Sequence, residues 1–370
     1  MPELTRIAAC HVAPVFLSAK KTTARAVSLI REAAGNNANL VVFPESYIPA
    51  FPIWSALRPP SENHELFKRM AEESIYVDGD EIGAIRTAAK ELGVLVSIGF
   101  SEKARYSSAT LWNANVLIGT DGDILVHHRK LMPTFYEKLT WAPGDGHGLR
   151  VADTAFGKVG TLICGENTNP LALYTMTAQG EQIHISSWPP IWPTRMPQVA
   201  AAPPASDGAA TTNGTDGAKA AVSSVARGAN YDNVAANRTR AAAHCFEAKC
   251  FGVLCAGVLT ADAIEAATAG SSTSGDVARG LQRSPRGATM FLDTTGTLLP
   301  GFIVEEGDDE VSAHVQKDLL QEEEGILYVD VDLGDCVEGK QYHDIAGGYQ
   351  RLDVFELKVD RTRREPVSFR

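Results

Sequence analysis

The chain has no apolar run approaching the roughly 18 residues that span a bilayer, so a membrane-crossing helix is not expected. Its opening, Met-Pro-Glu-Leu-Thr-Arg, lacks the charged and apolar regions of a secretory signal. Cysteine is sparse. Six residues without paired spacing do not make a disulfide framework, and they point to a reducing interior, most simply the cytosol. The Asn-x-Thr sequons at Asn213 and Asn237 then carry no meaning. Basic clusters are missing as well, and a formal net charge of −11 argues against partners such as nucleic acid or an anionic membrane surface. Without a Gly-x-Ser-x-Gly elbow, a serine hydrolase has no support. Gly144-Asp145-Gly146-His147-Gly148 lacks the strand–turn–helix context of a phosphate loop. His244 with Cys245, Cys250 and Cys255 does not have zinc-ligand spacing, and the run passes from a helix into a strand, so the side chains diverge. His127 and His128 alternate across a strand and cannot both face one ion. No metal and no organic cofactor is expected, and no repeat of solenoid period is present.

What is present can bury a large core: 44% of the residues are hydrophobic and 21% charged. Residues 6–16 read as a strand running into a loop, 18–34 as a helix stopped by Gly35, and 39–43 as a short apolar strand of the kind covered on both faces. A helix over 80–92 and a strand over 94–100 follow. Residues 111–118 and 124–130 form a hairpin about the Asp121-Gly122 turn. Strands are expected at 156–163, 181–188, 251–259 and 326–333, with a helix over 231–249 whose Arg238 and Arg240 face away from the core, and a second hairpin over 290–299. Strands alternating with helices, with hairpins between, indicate an α/β fold. Residues 198–227, rich in Ala, Ser, Thr, Gly, Asp and Pro, read as a flexible surface insertion. Residues 260–287 read as a long loop. This divides the chain into one catalytic domain over 1–334 and a charged tail over 335–370 that packs on the body or on a neighbour.

The chemistry centres on Lys158-Val159-Gly160-Thr161-Leu162-Ile163-Cys164-Gly165-Glu166-Asn167. Val159, Thr161 and Ile163 alternate as in a strand, and Pro170 suits the first turn of a helix behind it. Cys164 thus stands between a strand end and a helix start, as a nucleophile or as a buried structural thiol. Glu45 closes the apolar strand at 39–43, either capping a helix or serving as a base of raised pKa. Lys130 ends a hairpin strand, as a surface charge or as a member of the site, and Glu137 follows one loop later. If strand ends along one sheet edge converge, a carboxylate, an ammonium and a thiol meet in one crevice. Lys130 would then lower the thiol pKa, Glu45 would take its proton, and Lys130 with the Gly165 N–H would bind the charge that follows attack.

Three segments carry a resemblance: Val42-Phe43-Pro44-Glu45-Ser46-Tyr47-Ile48-Pro49, Arg129-Lys130-Leu131-Met132-Pro133-Thr134, and Gly160-Thr161-Leu162-Ile163-Cys164-Gly165-Glu166-Asn167. In order and separation they resemble the carbon–nitrogen hydrolase (nitrilase) superfamily, to about Phe355. The resemblance implies a four-layer αββα sandwich and a Glu45–Lys130–Cys164 triad supported by Glu137. It also implies homodimers or larger spiral homo-oligomers. Glu137 to Trp141, Ser187-Trp188-Pro189-Pro190 and the His343 to Arg351 region look like the nitrilase branch. That branch hydrolyses organic nitriles to acid and ammonia through a thioimidate and a thioester, with some amide when sulfur leaves first. An amidase with the same triad, or a non-catalytic assembly protein, are the alternatives. Positions matching nitrilase pocket residues are Phe51, Trp141, Gly165, Trp188 and Pro189, with Tyr47 and Trp54 as further candidates; each ring could equally be core. Many nitrilases carry Trp immediately after the cysteine, and this chain has Gly165, a change in pocket volume.

Overall fold

The computed structural model describes residues 4–195, 230, 232–305, 313–364 and 366–367. The insertion expected at 198–227 lies outside the described residues. The first sheet holds β1 (Thr5–His11), β2 (Leu40–Val42), β3 (Leu95–Lys103), β4 (Leu111–Ile118) and β5 (Ile124–Arg129). The second holds β6 (Ala152–Thr154), β7 (Gly157–Ile163), β8 (Ile183–Trp188), β9 (Phe251–Ala256), β10 (Thr289–Leu292) and β11 (Leu298–Leu299). The chain then returns to the first sheet with β12 (Gly301–Glu305), β13 (Ala313–Lys317) and β15 (Gly325–Val331), while β14 (Leu319–Leu320) pairs with β10. The first sheet runs β13-β12-β15-β1-β2-β3-β4-β5 and the second β11-β10-β9-β8-β7-β6.

Alternation within the apolar strands builds the layers. Ile7, Ala9, Leu40 and Val42 face Val159, Ile183, Ile185 and Val253 of the second sheet, forming a core between the two sheets. Their neighbours Ala8, Cys10 and Val41 point the other way, onto α1 (Ala19–Gly35) and α4 (Asp80–Leu92) through Ala26, Ile30, Ile82 and Ile85. On the far face of the second sheet, Leu162 meets α5 (Pro170–Thr177), and Leu254 and Met290 meet α6 (Asn233–Ala248). The order is therefore helices, sheet, sheet, helices, the sandwich the resemblance implied.

Several expectations needed correction. Residues 260–287 hold α7 (Ala261–Thr268) and α8 (Ser274–Arg283) rather than a loop. Their Ala, Ser, Thr and Gly content hid the inward pairs Ile264 with Ala267 and Val277 with Leu281, which bury against Trp54 and Phe51. The short helix α2 (Trp54–Leu57), α3 (His64–Glu73) and the hairpin of β12 and β13 also escaped the sequence reading. In the tail, α9 (Asp335–Glu338) buries Cys336, and Arg363 comes back to the body at Asp145 and His127. Among the described residues no helix is long and apolar enough to cross a membrane.

Candidate active site

β2 runs parallel to β3, and β5 runs the same way through the two antiparallel pairings of β4, so Glu45 and Lys130 emerge at one end of the first sheet. Cys164 directly follows β7, in the other sheet. The three expected site groups thus come from two facing sheets, not from one sheet edge. Gly99 of β3 makes the approach possible: a Cβ there would stand 2.5 Å from the Pro44 carbonyl oxygen and 2.6 Å from Ser46 N.

Lys130 Nζ donates to Glu45 Oε1 at 2.9 Å and to Glu137 Oε1 and Oε2 at 2.8 and 2.7 Å, and all three side chains are fully buried. Asn113 Nδ2 donates to Glu45 Oε1 at 2.7 Å, while Glu45 Oε2 has no hydrogen-bond partner among the described residues. Glu45 therefore caps no helix. Glu137 also accepts from Thr134 N at 2.8 Å, closing a capping box that fixes the loop after Lys130. One oxygen from each of Glu45 and Glu137 lies with the Cys164 sulfur in a group whose members are all within 4.8 Å of one another. Such a trio could hold a cation, but the Lys130 ammonium already bonds both carboxylates.

Burial pushes the Glu45 carboxyl from its ordinary 4.5 up to about 7, against the pull of Lys130. Burial opposes the Lys130 charge, yet Cys164, Glu137 and Glu45 together hold its pKa well above the ordinary value. The thiol goes the opposite way from the expectation. Burial and then the Glu45 charge push Cys164 well above its ordinary pKa, and neither Lys130 nor the hydrogen bond from the Gly165 N–H offsets them. The environment thus favours the protonated thiol at Cys164, with the Glu45 carboxyl beside it.

Cys164 has φ +50°, a left-handed backbone that costs a non-glycine residue on the order of 1–3 kcal/mol and needs support from its surroundings. Two neighbours supply it. Glu166 accepts from Ile163 N at 2.8 Å, Leu131 N at 2.6 Å and His128 Nε2 at 2.8 Å, tying the turn of the thiol to the loop after Lys130. Asn167 Nδ2 donates to the Cys164 carbonyl at 3.0 Å. The helix expected at Pro170 begins there: a 3-10 turn over Cys164–Thr168 leads into it, and Asn169 caps α5.

A cavity of about 360 Å³ opens onto the thiol, lined among others by Thr134, Cys164, Trp188, Pro189, Trp192 and Arg240. Its size is that of a small-ligand pocket.

The carbon–nitrogen hydrolase family model matches residues 6–341. The chain belongs to the carbon–nitrogen hydrolase family. It is 42% identical to an arylacetonitrilase of Hypocrea virens over 52% of this chain and 57% of that one, so the match spans little more than half of that relative. It is 30% identical to an arylacetonitrilase of Aspergillus kawachii over 99% of this chain and 95% of the other. The carbon–nitrogen hydrolase of Helicobacter pylori G27 shares the fold with a TM-score of 0.61 at 20% identity, covering 91% and 92% of the two chains.

Of the pocket residues expected in this carbon–nitrogen hydrolase, Trp188, Pro189 and Gly165 line the cavity. Phe51 and Trp141 do not. Trp141 donates to Ser101 Oγ at 2.9 Å and packs edge-on against Phe51 at 5.6 Å; Phe51 in turn backs Trp192 at 6.2 Å and borders a separate gap of about 20 Å³ beside Glu45. Tyr47 packs on Phe43 and Trp54 on Phe16, both in the core. Arg240, expected to face away, lies over the Trp188 ring at the cavity wall. The sequence reading missed Asn113, His128, Glu166 and Asn167. Glu166 and Asn167 stood inside the nucleophile motif, and their position just past the strand end was the available signal.

Proposed function

We propose that this carbon–nitrogen hydrolase is a nitrilase, converting an organic nitrile and two waters to a carboxylic acid and ammonia. The observation that carries the reading is the meeting of a buried thiol, two carboxylates and an ammonium beside a cavity large enough for a small nitrile. The names of the relatives, arylacetonitrilases at 42% and 30% identity, favour a nitrile over an amide. Cys164 attacks the nitrile carbon while its proton passes to Glu45, the nitrile nitrogen takes a proton from Lys130 or Glu137, and Glu45 passes its proton on through Lys130 to make good that loss, giving a thioimidate and an ionised Glu45. Water activated by Glu45 adds to that carbon, ammonia leaves, and a thioester remains. A second water releases the acid and restores the thiol. Should sulfur leave the tetrahedral intermediate before ammonia, an amide is the product. Trp188 and Trp192 in the wall suit an aryl or other apolar substituent.

The test is ammonia release from aliphatic, aryl and arylacetonitrile substrates and from their matching amides. Nitrile turnover by the wild type, none by a folded Cys164→Ala, supports the reading; preference for the amides, or turnover that survives Cys164→Ala, overturns it.

The same reading covers one catalytic domain over 1–334, a tail over 335–370 and a cytoplasmic enzyme. It also makes the chain a homo-oligomer, a dimer or a larger spiral. Exposed Tyr349, Leu352 and Phe355 support an apolar contact with a second copy, Leu352 and Phe355 being 76% and 75% exposed. Gel filtration of Leu352→Asp against wild type measures this, and an unchanged elution volume refutes it.

A further inference from the structure

Behind the Cys164 turn runs a buried polar chain that the proposed reaction does not use. Asn167 Nδ2 is committed to the carbonyls of Cys164 at 3.0 Å and Leu162 at 3.4 Å, so its Oδ1 is an acceptor. That oxygen meets Ser186 Oγ at 2.9 Å and His184 Nε2 at 2.8 Å. The other ring nitrogen, His184 Nδ1, meets Glu181 Oε1 at 2.9 Å, and Glu181 Oε2 meets His244 Nε2 at 2.8 Å. Glu181, His184 and His244 are all buried, on three different elements: the turn before β8, β8 itself and α6. His184 thus faces acceptors from both nitrogens. The two contacts are satisfied together only when each nitrogen carries a proton. Burial, together with the His244 ring 4.2 Å away between centroids, lowers the His184 pKa from its ordinary value of 6.5 despite the Glu181 carboxylate, so the second proton is the weakly held one and the contacts themselves, not a fixed charge, hold the ring.

A buried carboxylate between two histidines also has the makings of a metal site, since their donor atoms lie within 4.8 Å of one another. Both carboxylate oxygens, however, stand at ordinary N–H···O distance from an imidazole nitrogen, which fits shared protons.

We propose that His184, held by Glu181, is a positioning residue for the nucleophile: it fixes the Asn167 amide, which clamps the Cys164 carbonyl and keeps the left-handed turn that presents the thiol. The observations join without a gap, from the strained backbone of Cys164 through Asn167 and His184 to a carboxylate anchored on α6 through His244. A neutral apolar ring at 184 leaves Asn167 Oδ1 with Ser186 alone, and the amide is then free to turn away from the Cys164 carbonyl.

This inference rests on Cys164 being the nucleophile, and the experiment separates the two. The rate of Cys164 alkylation by iodoacetamide, read by mass spectrometry of the Cys164 peptide, requires no nitrile. It is measured with kcat and KM for wild type, His184→Phe, His184→Gln, Glu181→Gln and Asn167→Ala. His184→Phe and Asn167→Ala are expected to lower kcat and the alkylation rate together by about 10²-fold, the effect of an ångström-scale misplacement, with KM changed less than about threefold. His184→Gln, which keeps a donor near the Nε2 position, is expected to recover most of that loss. If His184→Phe does not fold, Glu181→Gln carries the test, because it keeps volume and removes only the anchoring charge; its alkylation rate should fall at least about fivefold. A folded His184→Phe with wild-type alkylation, a lowered melting temperature alone, or equal loss in His184→Gln and His184→Phe each overturns the proposal. A stoichiometric metal ion in the purified protein, lost in His184→Gln, overturns it in favour of a metal site. Failure of the wild type to hydrolyse any nitrile sinks the proposed function and leaves the alkylation comparison standing.

Discussion

Replacing Glu45 by Gln separates chemistry from stability in opposite directions. The substitution keeps the side-chain shape, and the amide oxygen can still accept from Asn113 Nδ2 and Lys130 Nζ as Glu45 Oε1 does. The new amide nitrogen takes the place of Oε2, which has no partner among the described residues. Because burial raises the Glu45 pKa from 4.5 to about 7, the folded protein binds this proton more tightly than the unfolded chain. Below pH 4.5 the group is protonated in both states and contributes nothing. Between 4.5 and 7 the unfolded chain ionises first, and stability falls by about 1.4 kcal/mol per pH unit. Above pH 7 the full cost, about 3 kcal/mol for a shift of that size, is in place. Glu45→Gln should therefore match wild type in urea melts at pH 4 and exceed it by up to about 3 kcal/mol at pH 8. Turnover should fall by about 10²–10⁴-fold, the usual worth of a general base. The assay pairs urea melts at both pH values with ammonia release. A variant that is less stable than wild type at pH 8, or one that retains turnover, would show that the carboxylate is structural and refute the reasoning.

Lys130→Met leaves Glu45 and Glu137 buried without their cation; it should cost about 3–5 kcal/mol at pH 8 and less at pH 5, where Glu45 holds a proton, and equal losses at both pH values would contradict this. Glu102 shows the reverse linkage: against the cost of burial, Arg129 and His127 hold its carboxyl down at about 2, so its contribution is complete above pH 4.5 and is lost as pH falls through 2. Glu102→Gln should flatten that acid limb of the stability curve by about 3 kcal/mol, and an unchanged limb in acid titrations followed by circular dichroism would rule it out. Gly165→Trp puts a Cβ 2.7 Å from Thr134 Oγ1, whose capping box holds Glu137 on Lys130; kcat should fall on the order of tenfold, and kcat equal to wild type would mean that Thr134 moves freely.

The sequence by itself determined the alternation that makes Ile7, Ala9, Leu40 and Val42 one inner face, the Asp121-Gly122 hairpin turn, and the three segments holding Glu45, Lys130 and Cys164. These are local signals: side-chain period, turn chemistry and short motifs survive without knowledge of distant partners. Stretches rich in Ala, Ser, Thr and Gly weaken the same signals, which is why α7 and α8 leave so little helical period in residues 260–287. Only the tertiary structure decided what faces the thiol. Packing of α6 on the second sheet brings Arg240 to the cavity wall and His244 to Glu181, while Phe51 and Trp141 turn out to back the wall through Trp192. The protonation of Cys164 was decided there as well. A lysine nearby predicts a lowered thiol pKa, but enclosure between two sheets removes the water that would hold the charge, and two carboxylates share that same enclosure.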